Sequence, residues 1–588
     1  MQRTPYLHLL KTSWKFAKGR RGKFVLTYCM FVVANGVILL EPAVIGQVFN
    51  EIQRGGGTDM RRIALWLALF GVIPFVFWCF HGVARVLERD TAFVIERNAR
   101  EFYFKTITEL PLRWHKDHHS GETHDRVEKA TYNLQRFASH GFRDIEIGAR
   151  VLFCSIAITY YLPLAGLVVL GVTSIVVLVI LRYDRVLGRL ERSINERRHS
   201  MAAVFYDYVA NIKTIITLRL EKLACSAYAE SVAIIFPVLR REIRLNEVKW
   251  FTVSMLLMLM HVAIMAFYIW NGLAAGAVML GGLVALYGYV SQLGDAFFRF
   301  AGEAQELLMY SVSVRAVDPM LASHGELSAQ VLPLSKPVDW QRIELRGLWF
   351  KYEDKEHREH QLRDIGLEIK RGARIALVGE SGSGKSTLLY LLRGLDRPER
   401  FKLCVDGNMQ KDFRTLAAST TLVPQDPEIF ENTIRFNITA GVTHGQAAVS
   451  RAVTISRFTP VLKRLPRGLE THIKERGVNL SGGEKQRLAL ARGVYAAQES
   501  SLLLLDEPTS SVDSLNELAI YKRIFEYFKG QTVISTIHRL HLLQHFDYIY
   551  VLANGRIIEE GTYDGLWRKP AGVLAAMIRQ YGTTSSVR

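Results

Sequence analysis

Cysteine is scarce in this chain: Cys29, Cys79, Cys154, Cys225 and Cys404 are the only five in 588 residues, and they show no paired spacing. That pattern excludes a disulfide framework and a cysteine-based metal site. Charge is missing over long stretches. Residues 63–84, 151–181 and 251–294 carry none, and 24–48 carry only Glu41. These runs are long enough to cross about 30 Å of hydrocarbon as helices of roughly 20 residues, which excludes an ordinary soluble chain. Gly/Pro-rich and low-complexity stretches are absent from 85–144 and 182–249. Neither connection therefore reads as a disordered loop, and helix formers with periodic apolar residues run through both.

What is present divides the chain in two. Its length demands at least two domains. The apolar runs stop near residue 294, and charge density rises afterwards. The net charge of +18 invites a nucleic-acid reading. The basic residues, however, are spread along the chain and gather beside apolar runs, as they do in membrane proteins, so no nucleic-acid partner is expected. Lys11, Lys15, Lys18, Arg20, Arg21 and Lys23 precede the first run and imitate a signal peptide. The run is too long for one and no small-residue cleavage pattern comes after it, so it reads as a first span.

Residues 1–23 form an N-terminal segment, followed by a membrane domain over 24–317. Six spans are expected at about 24–48, 63–84, 145–162, 164–181, 251–270 and 273–294, with turns near Pro163 and at Asn271-Gly272. Lys and Arg crowd the N-terminal segment and both long connections but are missing near Pro163 and Asn271. The N-terminus and the connections are therefore expected in the cytoplasm, although Arg54, Arg61 and Arg62 argue the other way. Turns near 114–121 and 206–211 would project short segments toward the C-terminal half of the chain. His115, His118, His119 and His124 lie in or beside the first turn, without the ligand spacing of a metal site. Within the spans, Glu41 beside Pro42 is the strongest functional candidate, although it falls near the outer headgroups, where a carboxylate costs little. His81 and His261 read as packed polar side chains, whereas Tyr287, Tyr289 and Gln292 could line a pathway.

Residues 318–338 lack apolar periodicity and read as a linker to a domain over 339–588. Short strands are expected at Ile343–Tyr352 and Leu367–Ile369, and a buried strand over 374–379 enters the loop Gly379-Glu-Ser-Gly-Ser-Gly-Lys-Ser-Thr387. Glycines there let backbone N–H groups converge on phosphate oxygens at the start of a helix. Lys385 would reach the β- and γ-phosphates, and Ser386 could ligate Mg²⁺. A second stretch, Leu480-Ser-Gly-Gly-Glu-Lys-Gln-Arg487, lies far downstream.

With these two stretches in order, the chain resembles an ATP-binding cassette transporter over essentially its whole length. The resemblance implies a multidomain membrane protein: an all-α six-helix transmembrane domain followed by an α/β P-loop ATPase cassette with a helical subdomain. By the same resemblance, Tyr352 stacks on adenine, and Gly379, Glu380, Ser381, Gly382, Ser383, Gly384, Lys385, Ser386 and Thr387 hold the phosphates. Ser481, Gly482 and Gly483 close over a nucleotide held by the opposite subunit, and Asp513 lies at the dimer seam. Asp506, Ser386 and Gln425 hold Mg²⁺, while Glu507, His538 and Gln425 carry catalysis. Glu475-Arg-Gly477 resembles the segment that contacts the cytoplasmic turns. Glu484 departs from the family, which more often has glutamine there, and a modest effect is expected.

The implied activity is ATP-driven export of a lipid, peptide or drug-like cargo, with ATP and Mg²⁺ as cofactors. The implied unit is a homodimer among membrane lipids, with a heterodimer as the alternative, because each nucleotide needs a second signature. An ATP-gated channel or regulatory subunit is the competing function; a soluble chromosome ATPase would have no spans. The absence of sorting segments points to a bacterial inner membrane.

Overall fold

The computed structural model describes residues 5–55, 60–118, 120–328, 339–353, 359–473 and 480–585. The Glu475–Gly477 segment and His119 lie outside them. The chain folds as two units, Met1–Thr108 with Gly121–Ala322, and Glu109–Ser120 with Ser323–Arg588.

The first unit is helical. Its elements are α1 (Pro5–Phe16), α2 (Arg21–Ile38), α3 (Glu41–Gly55) and α4 (Met60–Glu109), whose end passes to the second unit with α5 (Leu112–Asp117). Then come α6 (Ser120–Ser139), α7 (Gly141–Tyr161), α8 (Pro163–Ala210), α9 (Ile212–Thr217), α10 (Glu221–Ala233), α11 (Phe236–Ala274), α12 (Leu280–Arg315) and α13 (Asp318–Ser328). Leu162 alone separates α7 from α8, and Pro163 opens α8 where its missing N–H costs nothing. The break between α2 and α3 has a similar cause: Pro42 offers no N–H to the carbonyl four residues back.

Segments long and apolar enough to cross a membrane lie at Arg21–Arg54, Met60–Glu109, Pro163–Ala210 and Glu221–Ala274. Helices α7 and α12 are more polar, with Asp144, Glu146 and Arg150 on the first and Gln292 and Asp295 on the second. A core of Cys154, Ile158, Val176, Val253, Met260, Leu286 and Val290 joins α7, α8, α11 and α12. Large apolar side chains such as Phe75, Trp78, Leu167 and Leu178 face outward, as lipid contact requires.

Helices α3 and α12 approach until a Cβ on Gly281 would lie 1.9 Å from the Gly46 carbonyl oxygen. Gln53 and Asn50 then accept from the N–H groups of Leu280 and Gly281 at 2.8 and 3.0 Å, capping α12 from another helix. Of the polar residues singled out in the spans, His81 stacks on Phe77, His261 lies beside Tyr287, and Tyr289 is buried in the core. Glu41 opens α3 and is half-buried.

Two boundaries differ from expectation. The turn expected at Asn271-Gly272 lies further on, at 275–279, with Gly276 in the left-handed region that ends helices. Gly272 instead lets the returning chain pack close to Val278. The linker expected over 318–338 begins with helix α13, because Pro319 is tolerated in a first turn.

The second unit holds two sheets. One is antiparallel, in the order β2-β1-β4-β5: β1 (Arg342–Glu353), β2 (Glu359–Lys370), β4 (Arg400–Val405) and β5 (Asn408–Gln410). The other runs β10-β9-β3-β8-β7-β6: β3 (Arg374–Val378), β6 (Thr420–Val423), β7 (Leu502–Leu505), β8 (Thr532–Thr536), β9 (Tyr548–Ala553) and β10 (Arg556–Gly561). All but β10 pair in parallel. The strands β3, β7 and β8 are buried along almost their whole length because both faces are covered, and β3 and β7 are near-continuous apolar runs. Helix α14 (Lys385–Leu392) buries Leu388, Leu389, Leu391 and Leu392 against one face. Next along the chain are α15 (Arg414–Ala417), α16 (Ile434–Thr439), α17 (Gln446–Ile455), α18 (Thr459–Arg464), α19 (Gly482–Ala496) and α20 (Ser514–Tyr527), of which α16, α17 and α19 pack together as a helical layer.

Candidate functional site

In an open parallel sheet, ligands bind beyond the carboxyl ends of the strands. Four sequence-predicted groups emerge there: the glycine loop after β3, Gln425 after β6, Asp506 and Glu507 after β7, and His538 after β8. A cavity of about 460 Å³ there is lined by Ser381, Gly382, Gly384, Lys385, Ser386 and Thr387 together with Tyr352, Gln425 and Glu507, whereas Asp506 and His538 stand outside its lining and reach it through Ser386 and Glu507.

The loop is shaped by close approach. A Cβ on Gly379 would lie 2.2 Å from the Leu552 carbonyl oxygen, so only glycine fits. The Lys385 ammonium donates to the Gly379 and Glu380 carbonyls, both at 2.9 Å. Burial pushes its pKa down, opposed by the nearby Glu507 and Asp506 carboxylates. The Ser383 hydroxyl is buried with no hydrogen-bond partner among the described residues.

Below the loop, Ser386 Oγ donates to Asp506 Oδ1 at 3.0 Å, and Thr536 Oγ1 donates to the same oxygen at 3.1 Å. Burial raises the Asp506 pKa, and these two hydrogen bonds hold it down in part. The other oxygen, Oδ2, is buried with no partner among the described residues. A hydroxyl beside a half-satisfied carboxylate is an oxygen donor set suited to a hard divalent cation.

Glu507 is held from both sides. Gln425 Nε2 donates to its Oε2 at 2.8 Å, and His538 Nε2 bonds its Oε1. Its backbone N–H donates to Thr536 Oγ1 at 2.7 Å.

Ser481, Gly482, Gly483 and Asp513 do not line this cavity. Ser481 caps α19, and Gly483 lies against the loop at Ser511, where a Cβ would come within 2.7 Å of the Ser511 carbonyl oxygen. Asp513 caps α20 by accepting from the Asn516 N–H at 3.0 Å, and the two Asn516 hydrogen bonds hold its carboxyl below the usual range.

Sequence reasoning missed several contributors. Thr536 bridges Asp506 and Glu507. Gln486 locks α19 to the Ser511 loop, donating to Ser510 Oγ at 2.6 Å and accepting from the Ser511 N–H at 2.7 Å. Gln361 and Leu362 of β2 and Asn554 and Gly555 after β9 complete the cavity wall. No sequence signal marked any of them, since Thr536 ends a strand that also holds Thr532 and Ser535. The histidines of the first turn form no metal cluster among the described residues; Trp114 stacks on His118 instead.

The fold and the site define a class: a helical membrane domain joined to an ATP-binding domain with a glycine loop between strand and helix. Two family models match, the ABC transporter transmembrane region over residues 24–297 and the ABC transporter domain over 362–510, and between them they take in most of the chain. The chain belongs to the ATP-binding cassette transporter family. It is an ATPase-coupled transporter of the exporter-type half-transporter arrangement, with one membrane domain fused to one cassette.

YgaD of Bacillus subtilis, whose name provisionally assigns it to multidrug export as an ATP-binding/permease protein, is 27% identical over 577 residues, covering 95% of this chain and 97% of its own. ATP-binding cassette sub-family B member 6 of Rattus norvegicus is 27% identical over 497 residues, covering 81% of this chain and 56% of its own. A solved bacterial Atm1-family ABC exporter with ATP bound shares the fold at a TM-score of 0.79 and 24% identity, covering 95% of this chain and 98% of its own.

Proposed function

We propose that the chain works as a homodimer that exports a hydrophobic or amphipathic cargo, using ATP hydrolysed at two sites shared between its cassettes. Each nucleotide would rest on the Lys385 loop of one copy and be closed by Ser481, Gly482 and Gly483 of the other. The carrying observation is that Glu507 is aimed at the phosphate-loop cavity by Gln425 and His538, while the signature lies outside that cavity in its own chain. A complete set of catalytic groups without a signature in reach favours two equal copies.

Ser386, Asp506 and Gln425 would hold Mg²⁺, which neutralises charge on the transferring phosphoryl group. Glu507 accepts a proton from, or orients, the attacking water. His538 keeps Glu507 in place and contacts the γ-phosphate, and Tyr352, in the cavity wall, offers its ring to adenine. On this reading the helices α2–α3, α4, α7, α8, α11 and α12 form the six spans. The N-terminus and cassettes face the cytoplasm of a bacterial inner membrane, and α9 with its flanks projects away from the bilayer. Exposed apolar side chains there, including Tyr206, Val209, Ile216 and Leu218, support a second copy covering that tip.

A gated channel or regulatory subunit is disfavoured because no catalytic group is replaced. The relatives named for multidrug export support an outward cargo. ATPase stimulation in nanodiscs across lipid, peptide and drug panels tests the reading. Cargo-dependent stimulation that disappears with Glu507→Gln supports it. ATP turnover indifferent to every cargo, with ATP-dependent ion conductance instead, contradicts it.

A further inference from the structure

The signature helix carries an acidic residue where it should meet an anion. Glu484 occupies the third position of α19, where its carboxylate accepts from the Ser481 N–H at 2.8 Å while Ser481 Oγ accepts from the Glu484 N–H at 3.4 Å. This capping box rigidifies the turn that presents Ser481. A glutamine would complete the same box without charge. The carboxylate instead places a negative charge in the first turn of a helix whose N-terminus suits phosphate. Glu484 is only 7% exposed, so water screens that charge poorly. Among the described residues a cation answers it. Arg464, at the end of α18, pairs with Glu484 Oε1, the oxygen that the Ser481 N–H does not use.

We propose that Arg464 is a positioning residue for the nucleotide-closing signature: by neutralising Glu484 it lets an acidic capping box present Ser481 to the triphosphate held by the partner copy. Arg464 pairs with Glu484 and acts through that carboxylate. The proposal rests on the reading that Ser481 closes a site in trans.

The test uses full-length protein in nanodiscs and compares steady-state ATPase of wild type, Arg464→Gln, Glu484→Gln, the double variant and Arg464→Lys. Arg464→Gln leaves a buried carboxylate without its cation in the first turn of the signature helix, so KM for ATP rises about tenfold with kcat little changed. Glu484→Gln, the double variant and the charge-conserving Arg464→Lys stay within about twofold of wild type. A structural role alone would leave the double variant as impaired as Arg464→Gln. That result, or an unchanged KM in Arg464→Gln, overturns the proposal. Ser481→Arg serves as the separate control. If it hydrolyses ATP normally, the trans-site reading has failed; if it is inactive while Arg464→Gln is normal, only the present inference has.

Discussion

Ser386 Oγ donates to Asp506 Oδ1 across 3.0 Å although the two residues lie 120 positions apart in the chain. The contact exists because β3 and β7 both flank β8 in one parallel sheet and end at the same edge. It puts a helix-start hydroxyl against a buried carboxylate whose second oxygen has no partner among the described residues. Isolated, that arrangement is costly; with a divalent cation it is complete.

Chelation should therefore stop hydrolysis, and added Mg²⁺ should restore it. Asp506→Asn should lower Mg²⁺-dependent ATPase by about a hundredfold or more while leaving the cassette folded. Titration of activity with Mg²⁺ in both proteins reads this directly. Full activity in excess chelator would remove the cation from the account.

Glu507→Gln should keep ATP binding and lose roughly a thousandfold in kcat, within the range expected for a general base. His538→Ala removes one of its two side-chain partners and should lower kcat with little change in KM. Binding of a fluorescent ATP analogue beside single-turnover hydrolysis separates these effects. Retained turnover in Glu507→Gln would end its assignment as base or water orienter.

The Glu484 capping box should lose its stabilising effect in acid. Burial alone would raise the pKa of this carboxyl, but hydrogen bonds from Ser481 and Arg464 outweigh that and hold it below the ordinary value. A depressed pKa stabilises the fold at neutral pH, and that increment is lost as pH falls through the folded-state pKa. Melting temperatures of wild type and Glu484→Gln should therefore converge on acidification. A gap that widens would contradict the sign.

Topology is testable with impermeant maleimide. In a cysteine-free background, Gly276→Cys, on the turn between α11 and α12, should react from outside intact cells. Lys213→Cys, on α9, should react only after permeabilisation. Labelling of both from the same side would refute the six-span arrangement.

How much was legible depended on range. The glycine loop could be read because strand, turn and helix succeed one another within a few residues. Gln425, Glu507 and His538 carried meaning only through the order of motifs around them. Thr536, Gln486 and Arg464 stayed silent, since each acts through a partner brought near by tertiary packing. The same holds in the membrane unit. Gln53 caps α12 from 227 positions away, and Gly46 matters only because Gly281 lies against it. That the signature serves the opposite subunit's nucleotide came from the family resemblance alone and not from the spacing of the motifs.

The central claim is that each ATP site needs two copies. Transporters assembled from one Lys385→Ala chain and one Ser481→Arg chain, both also carrying Glu507→Gln, would be purified by sequential tags and assayed for trapped ATP. Trans sites leave one intact site per mixed dimer, so about half the ATP trapped by the parent Glu507→Gln dimer is expected, with none in either unmixed variant. No trapping in the mixed dimer, or full trapping by the unmixed Ser481→Arg protein, would contradict the account.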